Sequence, residues 1–277
     1  MELTTIIGII LAFGAIVFGI LSSGEGTIME QLGGFVDIPS VLVVIIGTAA
    51  AVIATNTGAQ LKAMVKAVSK AFKSVSYDSI ATIDSIIELA NIARKEGLLA
   101  LEEVAEKVED PFMKKAVNLM VDGTDPILLK DILEAEIGAM ENRHKSAIGS
   151  VEGIAGIGPA FGMLGTLIGL INMLANLNDS DALGSGMSVA LVTTFYGSVI
   201  ANVIANPLAN KLKTRSAEEV LQMELILEGI LSIHGGENPH IIQEKLNAFL
   251  SQTELSAGKN APKGKGKGEA AEPAEEE

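Results

Sequence analysis

The chain has 277 residues, 48% hydrophobic and 19% charged, with a mean hydropathy of +0.41 and a net charge of −14. It has no Cys, which excludes disulfides, zinc–thiolate sites, iron–sulfur clusters and thiol catalysis. The acidic balance argues against a nucleic-acid partner, whose phosphates need a basic face. All twenty Lys and Arg residues fall within 62–145 and 211–267, so a single water-soluble globule is ruled out as well.

The first uncharged run covers residues 3–24, 22 in all. A helix needs about 20 apolar residues to cross the hydrocarbon core. The acidic Met1-Glu2 start and the lack of a small-residue cleavage site argue against a signal peptide. A loop with Glu25, Glu30 and Asp37 leads to a second uncharged run, 38–61. Lys62, Lys66, Lys70 and Lys73 follow at helical spacing, a basic face suited to anionic lipid headgroups. Residues 79–95 repeat apolar side chains with helical period until Gly97 breaks the pattern. A further helix is expected over 98–108. Pro111 opens another, and Asp125-Pro126 opens a longer one as N-cap and first residue. No further Pro stops that helix before the third uncharged run, 153–178. Asp179 and Asp181 separate it from the fourth, 182–210. Two amphipathic helices are expected over 211–234 and 239–250, and a disordered Lys-Gly and Glu tail over 255–277.

The expected fold is therefore an all-α integral membrane protein with four transmembrane helices. A helical cytoplasmic domain separates spans two and three, and the C-terminus is helical and cytoplasmic. The division is 1–61 (spans one and two), 62–150 (cytoplasmic domain), 151–210 (spans three and four), 211–254 (cytoplasmic helices) and 255–277 (tail). Orientation follows from the basic residues: the 62–150 segment holds twelve, the tail eight, and the two short loops none. Both loops then face outward and both termini face the cytoplasm.

No Asp, Glu, Lys, Arg or His lies in any span. Ion carriers normally place an ionisable group at mid-membrane. Either the chain is not a transporter, or another subunit supplies the charge. Span three carries Gly158, Gly162, Gly165 and Gly169 on one face, with Thr166 among them. Span four carries Thr193, Thr194, Gly197, Ala201, Asn202, Asn206 and Pro207. The glycines are explained by close helix packing and each Thr by a bond to its own helix. Pro159 and Pro207 each free a carbonyl one turn earlier, however, and freed carbonyls with Thr oxygens are the ligands a hard cation accepts.

These residues give the chain a resemblance to the MotA/PomA family, the A subunits of the bacterial flagellar stator. The resemblance spans Phe35-Val36-Asp37-Ile38-Pro39-Ser40, Ala93-Arg94-Lys95-Glu96-Gly97-Leu98-Leu99-Ala100-Leu101-Glu102-Glu103, Val121-Asp122-Gly123, Arg143-His144 and spans three and four through Asn206-Pro207-Leu208-Ala209-Asn210-Lys211-Leu212. It implies a homopentamer of A subunits around two MotB/PomB-type B subunits, each bringing one helix with an intramembrane Asp. It implies an inner-membrane protein that converts ion flow into torque on the rotor protein FliG, with no cofactor. Pro159 and Pro207 match prolines tied to conformational coupling. Arg94 and Glu102 match a rotor-facing pair, and Lys95 and Glu103 match further charges of sodium-type members. One acidic position of those members falls on Ala105, with Glu106 adjacent. Thr194 matches a position that is Thr in both ion classes. Thr166 and Thr193 match positions that are Thr in sodium-type PomA and MotP subunits, which implies Na⁺ as coupling ion, with H⁺ the alternative.

Two other readings compete. An ExbB/TolQ-like energiser subunit would also surround an Asp-bearing partner, but those have three spans. A self-sufficient channel conflicts with the uncharged spans. An enzyme is not expected: Gly-rich span three lacks the Lys of a P-loop, and His144, His234 and His240 are scattered.

Overall fold

A computed structural model describes residues 3–23, 27–73, 77–252 and 255. Every regular element among them is helical. The tail expected to be disordered lies, apart from Leu255, outside the described residues. Four helices are long and apolar enough to cross a membrane: Thr4–Ser22, Ile38–Thr55, Pro126–Ala175 and Ser180–His234. The chain forms two compact units, Met1–Tyr77 with Glu134–Val220, and Asp78–Leu133 with Leu221–Glu277. The segments 62–77 and 134–150 thus group with the spans.

In the first unit, α1 (Leu3–Ser23) leaves Ile10, Leu11 and Phe18 exposed, the surface of a helix that faces lipid or another chain. α2 (Ile28–Gly33) lies in the first loop. Span two begins with α3 (Ile38–Val41), where the motif around Asp37 has a local purpose. Asp37 accepts from the Ser40 N–H at 2.7 Å and from its hydroxyl at 2.5 Å, while Pro39 sits in the first turn, where no donor is needed. A π-helical stretch follows over Leu42–Ile46, and α4 (Gly47–Thr55) completes the span. The Phe161 ring fills the place of a side chain at Gly47 and lies directly against its backbone. Asn56 bonds to the Val52 carbonyl and accepts from the Ser150 hydroxyl at 2.6 Å. Thr57 and Gln60 then form a capping box that starts α5 (Gly58–Ala71). Lys62, Lys66 and Lys70 lie on α5, and Lys73 falls just past its end. At the base, Ala71, Ile148, Val151, Leu208, Ala209 and Leu212 form one apolar cluster.

In the second unit, α6 (Ser79–Glu96) is capped by Asp78 and ends at Gly97, whose φ of +89° only glycine adopts without strain. The helix expected over 98–108 is shorter and divided. A 3₁₀ turn, Leu98–Ala100, precedes α7 (Leu101–Ala105), because the Gly97 reversal permits only a tight first turn. α8 (Pro111–Val121) is capped by Asp110. α12 (Pro239–Asn247), three residues shorter than expected, packs on α6. Ile86, Leu101, Met120, Ile230 and Ile242 are fully buried there.

One helix continues into span three as the absence of an intervening proline allows, and span four runs on further than the sequence implies. α9 (Pro126–Ala175) joins the expected cytoplasmic helix to span three in 50 residues, with Pro159 inside it. The proline removes one donor, but leaving the helical path in hydrocarbon would expose many more backbone groups, so the helix continues. After α10 (Ser180–Val199), a π-helical stretch Ile200–Ala205 leads directly into α11 (Asn206–His234). Asn206 donates to the Ala201 carbonyl, a bond reaching one residue further than an α-turn. This wide turn lies immediately ahead of Pro207, whose ring would otherwise clash with the preceding turn.

Candidate functional site

Glycine brings α9 and α10 together. A Cβ on Gly169 would lie 2.5 Å from the Gly186 carbonyl oxygen, and one on Gly186 would lie 2.8 Å from the Gly169 carbonyl oxygen. Gly197 and Gly158 meet in the same reciprocal way, a Cβ on Gly197 lying 2.7 Å from the Gly158 carbonyl oxygen. Gly165 receives the side chain of Thr193, and Gly162 lies against the Thr193 and Thr194 backbone. The glycine face of span three is therefore spent on packing against span four of the same chain, backbone on backbone.

Because the helices touch, their hydroxyls converge. Thr166 and Thr194 lie with their oxygens 2.6 Å apart. Thr166 Oγ1 is also 3.1 Å from the Gly162 carbonyl and 3.1 Å from the Ala190 carbonyl, and Thr194 Oγ1 is 3.2 Å from that same Ala190 oxygen. These are four close contacts for two hydroxyl protons, so lone pairs on this pair stay uncommitted. Thr194 is exposed and Thr166 half-buried, so the pair lies at the surface of the hairpin. Thr193 is fully buried on the seam. Its hydroxyl bonds within its own helix, to the Val189 carbonyl at 2.8 Å and the Ala190 carbonyl at 3.1 Å. The structure thus brings Thr166 and Thr194 together and sets Thr193 behind them, joined through one shared carbonyl. The Ala190 oxygen was not legible in the sequence, since no side chain marks a carbonyl that three hydroxyls will approach.

Pro159 stands beside Gly197, a Cβ on which would lie 3.1 Å from the Pro159 Cα. Across the π-helical stretch, Asn206 Nδ2 donates to Asn202 Oδ1 at 3.2 Å, and Asn202 Nδ2 to the Ser198 hydroxyl at 3.4 Å, a polar ladder along the helix. Against the first loop, the Tyr196 hydroxyl donates to the Phe35 carbonyl at 2.5 Å, and the Phe35 and Phe195 rings meet edge to face at 5.4 Å. These anchors were also missed, because Phe35 and Tyr196 lie 161 positions apart. No group of three or more His, Asp or Glu side chains could hold a metal among the described residues.

In the second unit, Arg94 and Lys95 close α6 and Glu102 and Glu103 open α7, on either side of Gly97, and all four are exposed. Ala105 is fully buried, which explains why no acid stands there. Glu106 is exposed and pairs with Lys114 at 3.0 Å.

Residues 104–225 match the MotA/TolQ/ExbB proton channel family. The chain is 40% identical over 256 residues to Motility protein A of Borreliella burgdorferi, covering 92% of this chain and 96% of that one. It belongs to the MotA/TolQ/ExbB family. Within that family it is also 36% identical to the chemotaxis protein PomA of Vibrio alginolyticus over 252 residues, 91% of this chain and 96% of PomA. Solved MotAB structures share the fold. The flagellar MotAB stator complex of Bacillus subtilis matches with a TM-score of 0.83 at 34% identity, covering 91% of this chain and 97% of that one. The MotAB of C. jejuni matches with a TM-score of 0.83 at 30% identity over the same shares. The resemblance read from the motifs is thereby established, and the family is one of channel proteins rather than enzymes.

Proposed function

We propose that this chain is the A subunit of an ion-driven flagellar stator, with Na⁺ as its coupling ion. The observation that carries the reading is an oxygen-rich lip, Thr166 and Thr194 over the Ala190 carbonyl, on a hairpin with no Asp, Glu, Lys, Arg or His in its membrane stretch. Hydroxyl and carbonyl oxygens are ligands for a hard cation. A permeating ion also needs a countercharge at mid-membrane, and these spans have none to offer.

A B subunit with one intramembrane Asp would supply it, as the MotAB complexes of the relatives imply. Each charge falling through the membrane potential releases about 2.3 kcal/mol per 100 mV. Pro159 and the wide turn before Pro207 would let spans three and four change shape as the Asp is neutralised and released. Five A chains would surround two B chains, and the exposed set of Arg94, Lys95, Glu102 and Glu103 would pass torque to FliG. The termini would lie in the cytoplasm and the spans in the bacterial inner membrane, with lipid headgroups on the lysines of α5.

Co-expression with a MotB/PomB-type B subunit, in a stator-null strain, tests this. Swimming speed should rise and saturate with external Na⁺ at constant membrane potential. Full speed without Na⁺ would overturn the ion assignment. Rescue of an ExbD/TolR-dependent uptake defect in place of motility would overturn the stator assignment.

A further inference from the structure

We propose that the first unit carries a site for one phospholipid with an anionic headgroup, its acyl chain held between spans two, three and four and its headgroup on α5. The spans leave an apolar cavity of about 340 Å³, lined by Ile45, Ala49 and Ile53 of span two, Leu61 at the start of α5, Ile154 of α9 and Ile200 of the π-helical stretch. It follows span two for about 12 Å, the rise of eight helical residues. Ile45 and Ile53 are 47% and 61% exposed, so the cavity is a groove open along one side.

What makes the occupant a lipid is the continuity of this groove with charge. Leu61 also lines a second, shallower hollow, made with Lys62, Val65 and Lys66 on the outer face of α5. Both ammonium groups are exposed, and among the described residues neither meets a carboxylate. One molecule with an apolar tail and an anionic head matches two hollows that share Leu61 in their walls. The inner leaflet, where the basic residues belong, is where anionic headgroups and basic pockets between helices meet. The site rests on the orientation proposed above only for the identity of the leaflet.

Native mass spectrometry of the A chain with its B partner, in detergent, tests it with added phosphatidylglycerol or phosphatidylcholine at equal concentration. Wild type should retain phosphatidylglycerol preferentially. Lys62→Gln with Lys66→Gln should weaken that retention about thirtyfold and leave phosphatidylcholine unchanged, from the attraction of two basic side chains at a membrane surface. Ala49→Phe, which fills the groove, should reduce both. Equal retention of the two lipids by wild type, or unchanged retention in the double Lys variant, would overturn the proposal. That variant alters only exposed positions, so the test stands if Ala49→Phe does not fold. Retention of neither lipid by the wild-type complex would mean that another chain covers the groove and would also overturn the proposal. Lipid retention is read without motility, so its failure leaves the stator reading standing.

Discussion

Thr166 on α9 and Thr194 on α10 hold their hydroxyl oxygens 2.6 Å apart, and both lie within reach of the Ala190 carbonyl. Thr193, the next residue, shares that carbonyl from the buried side. The neighbours therefore separate in their expected effects. Thr194→Ala should abolish Na⁺-driven rotation, while costing only about 1 kcal/mol of stability for one hydrogen bond. Thr194→Ser, which keeps the oxygen, should retain rotation. Thr193→Val keeps the shape that fills Gly165 and removes an oxygen already spent on its own helix. It should leave more than half the swimming speed, measured by tracking at saturating Na⁺. Loss of rotation in Thr193→Val would mean that this hydroxyl meets the ion.

The glycine seam predicts a sharp contrast along one helix. Gly169→Ala drives a methyl against the Gly186 carbonyl, which is backbone and cannot swing aside. The expected cost is about 1–3 kcal/mol, seen as a lower temperature for loss of the purified complex in detergent. Gly138→Ala, in α9 with open space around it, should instead raise that temperature, because glycine costs about 0.5–1 kcal/mol relative to alanine in a helix. Equal behaviour of the two variants would show that the hairpin is looser than this geometry.

Gly97 and the charges around it should also come apart. Its φ of +89° and ψ of 168° lie in a region that essentially only glycine occupies. Gly97→Ala should destabilise the second unit by about 1–3 kcal/mol. Arg94→Ala with Glu102→Ala changes only exposed positions and should stay within about 0.5 kcal/mol of wild type by thermal unfolding, while motor torque falls. A double variant with full torque would remove these residues from the rotor face.

Tyr77 gives the first unit a dependence on alkaline pH. Its phenol, ordinarily near 10.0, is pushed up to about 12, chiefly by burial and then by the Glu219 and Glu218 carboxylates, with Arg215 opposing. The folded state thus holds this proton more tightly than the unfolded chain does. The stability it contributes is whole below pH 10 and is lost as pH rises toward 12. Tyr77→Phe should flatten that part of the curve relative to wild type. Parallel curves from pH 9 to 12 would count against the pairing.

The four spans were legible because an uncharged run longer than a bilayer is rare and unambiguous. The glycine face was legible too, since a step of four, three and four leaves small residues on one side. Which of Thr193 and Thr194 faces outward was not: adjacent helical residues differ by about 100°, and only the place where Gly165 lands decides between them. The π-helical stretches were invisible because these spans are apolar on nearly every face, so the shift in phase caused by an extra residue per turn leaves little mark on the pattern. The unbroken passage of α9 through Pro159 was legible as well, since the uncharged run 153–178 carries that proline within one crossing helix and no other Pro stands between it and Pro126.

The reciprocal contacts of Gly158 with Gly197 and of Gly169 with Gly186 also bear on how the protein is made. Span four is the least apolar of the four, with a mean hydropathy of 1.6, and its polar residues include Thr193, Thr194, Ser198 and Asn202. Released singly from the translocation machinery, such a segment would be a reluctant guest in the bilayer. Only four residues separate Ala175 from Ser180, so its partner is beside it as soon as it leaves the ribosome. The two should enter the membrane as one closed hairpin, and a variant that props the seam open should be lost to proteolysis during synthesis, before any motor is built.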